Sequence, residues 1–221
     1  MQVPKRWSWV AVGVLLVGVW AACSDKSDTT KPAAAPKTTP KTTAPARPTP
    51  TTSSPTPWYD DYDPAHFAPQ VRRYAKAAGI NPQLLMAILY NEDYKPHDPK
   101  FERQWAQVDS DPAFGIANMH EAAFDETKRG RDFAKRRWDE LPDNPALAIE
   151  AAAWHLHDLA ERLPSKRADL YTKDELLALG YNAGGGNMRI FARGRKAGPQ
   201  ASSYVDRLHR NWAKSGEAIK S

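Results

Sequence analysis

Between Ser24 and Pro57 the chain carries eight prolines and ten threonines and not one aromatic or large aliphatic residue. Such a stretch has nothing apolar to bury, so no gain offsets the entropy of ordering it. It divides the chain, and any fold must be built from residues 58–221, enough for one ordinary core. All eight tyrosines and all six phenylalanines lie in that second part. The prolines favour an extended polyproline conformation of about 3.1 Å per residue, so the stretch reaches on the order of 100 Å. It reads as a spacer, and its threonines are available for glycosylation.

The segment before the spacer has a different character. Lys5 and Arg6 precede an apolar run from Trp7 to Ala22 that only Ser8 interrupts, and the run ends in small residues before Cys23. That is the layout of a secretory signal, and the run is shorter than the roughly 20 residues that span a bilayer. Cys23 is the only cysteine. It has no partner for an internal disulfide, and its position after Ala21 and Ala22 resembles a bacterial lipobox, in which the cysteine becomes the lipidated first residue. Trp20 departs from the usual aliphatic residue three positions before it. The expectation is a lipoprotein signal over 1–22, lipidation at Cys23, a tether over 23–57 and a folded domain over 58–221, exported and anchored to the outer face of a membrane. A simple secretion signal or an uncleaved anchor is the alternative.

Without residues 1–22 the chain loses Lys5 and Arg6 and keeps 29 basic against 26 acidic residues, a charge of +3. So mild an excess argues against nucleic acid, whose partners carry a dense basic face. It suits an acidic polymer or an anionic membrane surface.

The folded part has a helical pattern. Asp63-Pro64, Asn81-Pro82 and Asn144-Pro145 each place a capping side chain before a proline suited to a first helical position. After them apolar residues recur three or four apart: Phe67, Val71, Tyr74 and Ala78; Leu84, Leu85, Ile88 and Leu89; Leu147, Ala151, Trp154 and Leu159. Gly79 and Pro164 close the first and third. Thr172 and Glu175 have capping-box spacing ahead of Leu176, Leu177 and Leu179. Pro199 opens a last helix with Tyr204, Val205, Leu208 and Trp212. No stretch sustains a period of two, so the fold class is all-α, with at most a small hairpin. Tyr94 to Asn118, polar and holding Pro96, Pro99 and Pro112, reads as a long functional loop.

Glu92 ends the apolar segment LLMAILYNE, four residues after Ile88 and three after Leu89. That spacing sets it beside the buried face, where a raised pKa would suit a general acid. A helix-end acid turned to water has the same spacing. The run GYNAGGGN, Gly180 to Asn187, invites comparison with a phosphate loop, but a capped helix leads into it where such a loop needs a strand. Its glycines fit a tight exit from that helix.

The runs AGINPQLLMAILYNEDY, FGIANM, LGYNAGGGN and SYVDRL, in this order over roughly Ala78 to Leu208, resemble the soluble lytic transglycosylase domain of the lysozyme-like superfamily. The resemblance implies a lysozyme-like helical domain that cleaves peptidoglycan, with Glu92 as the catalytic glutamate. The family's usual next serine is Asp93 here. Its glycine-leucine-methionine-glutamine motif falls on Gly115, Ile116, Ala117 and Asn118, with asparagine at the glutamine position. Its tyrosine-asparagine-alanine-glycine motif is matched by Tyr181, Asn182, Ala183 and Gly184. The segment around KFERQW is longer than the family's usual loop.

The resemblance implies one carboxyl acting twice. Glu92 would protonate the oxygen between N-acetylmuramic acid and N-acetylglucosamine, the acetamido group would stabilise the anomeric carbon, and Glu92 would then deprotonate the C6 hydroxyl to close a 1,6-anhydro ring. Tyr181 would donate to Glu92 or to the acetamido group, and Asn182, Asn118, Gly115 and Ala183 would line the sugar site. Trp105, on the polar stretch, is the best placed aromatic for stacking on a sugar; Trp138 and Trp154 fit the core. Asp93, Asp109 and Asp111 keep a hydrolysing muramidase open, although Asp109-Ser110-Asp111 also fits an ordinary turn. A non-catalytic wall-binding lipoprotein is the third reading. Arg189, Arg193, Arg195 and Lys196 fit either substrate carboxylates or a solvated surface. His155 and His157 lie two apart and face different sides of a helix. With no H-E-x-x-H or paired-cysteine motif, neither metal nor cofactor is expected. The expected partners are peptidoglycan glycan strands and, through the anchor, a membrane; the domain is expected to be a monomer.

Overall fold

The computed structural model describes residues 62–221. The expected signal, Cys23 and the tether lie outside them. A 3-10 turn at Pro64–Phe67 leads into α1 (Ala68–Ala78), followed by α2 (Pro82–Glu92) and α3 (Pro99–Trp105). The strands β1 (Ala113–Phe114) and β2 (Met119–His120) then form an antiparallel hairpin, pairing Ala113 with His120 and Phe114 with Met119. The chain continues through α4 (Glu121–Thr127), a 3-10 segment at Trp138–Asp143, α5 (Pro145–Glu161), α6 (Lys173–Ala192) and α7 (Pro199–Ala218). The domain is helical apart from the hairpin, as its sequence pattern predicts.

Asx-Pro pairs start the helices. Asn81 Oδ1 accepts from the Gln83 N–H at 3.0 Å, Asp98 Oδ1 from Phe101 at 2.9 Å, and Asn144 Oδ1 from Leu147 at 3.0 Å. Each satisfies a donor that a helix start would leave unpaired. Thr172 and Glu175 form the expected capping box. Gly79 ends α1 in the left-handed region at φ 66°, where a Cβ would be costly.

α2 is the centre of the molecule. Every residue from Leu84 to Glu92 is buried, so its apolar character runs all round and not along the expected stripe, as a helix enclosed by neighbours requires. Its most extensive partner is α7, with α1 and α6 completing the cage; α5 packs on α1 and α6.

Three elements depart from the expected pattern. The polar stretch from Tyr94 is not one long loop, because Asp98-Pro99 starts α3 inside it. α3 is hard to see in the sequence because its single buried residue is a carboxylate, Glu102. The glycines after Tyr181 do not end their helix. At Gly184 the backbone leaves helical geometry (φ 82°, ψ 154°) and then resumes it through Ala192. The Asn187 Nδ2 donates to the Ala183 carbonyl at 2.8 Å across this break, giving one interrupted carbonyl a partner. Finally, α4 forms around a single buried apolar residue, Phe124.

Candidate active site

Glu92 is the last residue of α2, where the buried helix meets a cleft of about 580 Å3. The cleft is lined by Glu92, Asn118, Tyr181 and Asn182, by Trp105 and its neighbours on α3, and by one face of α7. Glu92 is only 8 % exposed. Burial pushes its carboxyl above the usual carboxylate range; hydrogen bonds from Tyr204 and Asn118, with the charges of Arg207 and His97, pull the other way without cancelling it. A carboxyl kept protonated this way can deliver a proton near neutral pH.

Two side chains hold the carboxyl. The Tyr204 hydroxyl donates to Oε1 at 2.7 Å, and Asn118 Nδ2 donates to Oε2 at 3.3 Å and to the Glu92 carbonyl at 3.2 Å. The neighbouring Asn91 fixes the first pairing. Its Nδ2 donates to the Tyr204 carbonyl at 3.1 Å, and its Oδ1 accepts from Asn211 at 2.9 Å. Thus α2 and α7 are locked in register beside the carboxyl.

Asn118 lies on the hairpin turn, with φ 48°, the single positive-φ position outside glycine among the described residues. Asparagine enters this region more readily than most residues, and its short side chain reaches Glu92 directly. Its Oδ1 is buried without a donor. The turn beneath it leaves no space: a Cβ on Gly115, at φ 73°, would sit 2.9 Å from the Leu141 carbonyl oxygen and 3.0 Å from the Ala148 Cβ. Trp138 clamps the same hairpin, stacking on Phe114 at 4.1 Å and donating from Nε1 to the Met119 carbonyl at 2.6 Å.

Tyr181 braces the hairpin from the other side. Its hydroxyl donates to the Ala117 carbonyl at 2.7 Å, not to Glu92, and His155 meets its ring edge-on at 5.5 Å. Burial, and secondarily the Glu92 charge, push the Tyr181 phenol well above its ordinary range. Burial also lowers His155 to about 4, so that ring is neutral. Asn182 lines the cleft from an exposed position. Gly115 and Ala183 are not among the lining residues; Gly115 packs beneath the hairpin and Ala183 against the core. His157 turns away, its Nδ1 donating to the Ala78 carbonyl at 2.8 Å.

α3 forms the cleft's outer wall. Phe101 and Trp105 stack on each other, ring centres 6.3 Å apart, and Trp105 is half exposed. Asp109 accepts from Trp105 Nε1 and from the Asp111 N–H, both at 3.1 Å, and Asp111 pairs with His120 at 3.2 Å. These two carboxylates therefore line the cleft within a hydrogen-bonded turn. Asp93 is exposed and is not among the lining residues.

Glu102 ties α3 to the hairpin. It accepts from the Gly115 N–H at 2.7 Å and from His97 Nδ1 at 3.0 Å, and Lys95 Nζ lies 3.6 Å away. Lys95 in turn donates to the Ala113 carbonyl at 2.6 Å. Burial lowers the Lys95 pKa, with Glu102 opposing that shift. Neither Glu102 nor the hydroxyl of Tyr204 was legible as a site group. Tyr204 fits the apolar stripe of its helix, and nothing in a single sequence pairs it with a residue 112 positions away.

No curated protein matches the chain. The family model for the transglycosylase SLT domain matches residues 69–202, from the first turn of α1 into the first turn of α7. The match takes in Glu92, the hairpin with Asn118, and the Tyr181 segment, and it covers more than half of the chain. The chain belongs to the transglycosylase SLT domain family.

Proposed function

We propose that this domain cleaves the β-1,4 bond between N-acetylmuramic acid and N-acetylglucosamine in peptidoglycan strands, leaving 1,6-anhydro ends. Family membership supports a transglycosylase-type enzyme acting on peptidoglycan. The observation that carries the finer reading is one buried, proton-retaining carboxyl, Glu92, facing a cleft whose other two carboxylates are held in an exposed turn. Glycosidases that use water require a second carboxylate to activate it or to act as a nucleophile.

In the first step Glu92 gives its proton to the glycosidic oxygen, the bond to the anomeric carbon breaks, and the acetamido oxygen closes on that carbon. The Asn118 Oδ1, which has no donor of its own, accepts the acetamido N–H and orients it. Tyr204 and Asn118 stabilise the carboxylate that Glu92 has become. In the second step that carboxylate takes the proton of the C6 hydroxyl, O6 attacks the anomeric carbon, and the acetamido oxygen leaves. Glu92 is protonated again and no water is consumed. Trp105 offers an apolar face to a neighbouring sugar.

The signal over 1–22, lipidation of Cys23 and the tether place this chemistry at a distance from a membrane surface. Mass analysis of the membrane-extracted protein tests the lipid, and Cys23→Ala should release the protein from membranes.

The product test uses purified domain and peptidoglycan. Released fragments lighter by one water than reducing-end fragments support the transglycosylase. Reducing ends would replace it with a hydrolase, and binding without release with a scaffold. Glu92→Gln should lower the rate by about 10²- to 10⁴-fold; undiminished cleavage would remove Glu92 from the mechanism.

A further inference from the structure

The cleft face of α7 carries a cation that no protein group neutralises. Gln200, Ser203, Tyr204 and Arg207 all line the cleft, at the three- and four-residue spacing of a single helix face. Arg207 lies with its guanidinium carbon 5.3 Å from the centre of the Tyr204 ring, the ring whose hydroxyl holds Glu92. Its Nε is buried without an acceptor, and among the described residues it enters no ion pair. The acids around the cleft are engaged elsewhere: Glu92 with Tyr204 and Asn118, Asp109 with Trp105, Asp111 with His120, and Glu102 with His97 and Gly115. The other cation lining the cleft, Lys95, is held by Glu102 and the Ala113 carbonyl.

A guanidinium presents several donors in a planar fork suited to a carboxylate. Leaving its buried Nε unpaired is costly, and a ligand acceptor would remove that cost. We infer that Arg207 is the substrate's carboxylate anchor: it pairs with a carboxylate borne on the muramyl residue whose acetamido group faces Glu92. This rests on the proposed reaction, and it adds a basis for selecting among strands. The muramyl ether substituent sits on the carbon next to the acetamido-bearing carbon. A group on it is therefore close to Glu92 and to the ring on which Arg207 lies. Two sources supply the same chemistry: the free lactyl carboxylate of strands stripped of peptide, or a carboxylate of the stem peptide where peptide remains.

Binding and cleavage separate this inference from the reaction itself. Binding is measured with Glu92→Gln protein, with and without Arg207→Gln, on soluble strands of four kinds: peptide-bearing or peptide-stripped, each with carboxylates free or converted to amides. Cleavage is measured with the parent protein and Arg207→Gln. Arg207→Gln should weaken binding to free-carboxylate strands by roughly ten- to a hundredfold and change binding to amidated strands less than twofold. A loss confined to stripped strands identifies the lactyl carboxylate; one confined to peptide-bearing strands identifies the stem peptide. Arg207→Lys should recover part of the loss, since it keeps charge without the fork. Equal loss on free and amidated strands, no loss on either, or a cleavage defect in kcat alone would overturn the inference. Failure of the parent protein to cleave, with the charge-dependent binding intact, would count against the reaction and leave the anchor standing.

Discussion

Tyr204→Phe isolates the hydrogen bond that most directly sets the proton affinity of Glu92. The hydroxyl donates to Glu92 Oε1 at 2.7 Å in a buried setting, while the ring belongs to the core. Removing the oxygen leaves the ring in place and takes one donor from the carboxylate. A hydrogen bond to a charged group contributes about 1.5–3 kcal/mol, and one pH unit corresponds to about 1.4 kcal/mol. This bond lowers the Glu92 pKa, so its loss raises it. The alkaline limb of the kcat/KM profile, where the general acid is lost, should therefore move up by about one to two pH units. A weaker acid also transfers its proton less readily, so kcat near pH 7 should fall by about tenfold. The assay is fragment release from peptidoglycan from pH 4 to pH 10, with circular dichroism to confirm folding. An alkaline limb that stays in place or moves down, in a folded variant, would refute this account of the carboxyl.

Glu92→Gln should stabilise the fold at pH 8 and not at pH 3. The folded pKa lies above the unfolded one, so the folded state holds the extra proton and stability falls as pH rises between the two; thermal melts at both values check it. Glu102→Ala strips partners from the Gly115 N–H, His97 and Lys95 and should cost about 3–5 kcal/mol in urea unfolding. Gly115→Ala meets both a positive φ and the Leu141 carbonyl oxygen. It should cost about 2 kcal/mol or more, read as a lower melting midpoint with slower cleavage. Trp105→Ala, half exposed, should raise KM several-fold while moving the melting midpoint little, because its burial in the fold is small.

The long helices were legible because each announces itself locally. A cap, a proline and apolar residues at helical spacing are all short-range signals, and Asn81, Asn144 and Thr172 cap as their positions predict. α3 escaped because its inner face is held by charge: a periodicity of apolar residues has nothing to register when the buried group is Glu102. The Asp98-Pro99 pair was the available sign. The interruption at Gly184 resembled a helix end because glycines mark both exits and kinks, and only the Asn187 to Ala183 bond distinguishes them. In the site, the motifs located Glu92, Asn118 and Tyr181. They did not show which hydroxyl meets the carboxyl: Tyr181 binds the hairpin and Tyr204 binds Glu92.

The pairing of α2 with α7 bears on where this enzyme module stops. The family match ends at residue 202, whereas Tyr204, Arg207 and Asn211 lie beyond it. A fragment cut at that limit would expose the flank of a helix that is apolar on every side, and the same cut would strip Glu92 of its hydroxyl donor. Stability and acidity are therefore carried by one removable segment. A chimera that exchanges α7 between relatives, leaving Glu92 and the hairpin untouched, should transfer a pH optimum along with the helix. Evolution can in this way retune the acid from a part of the chain remote from it in sequence.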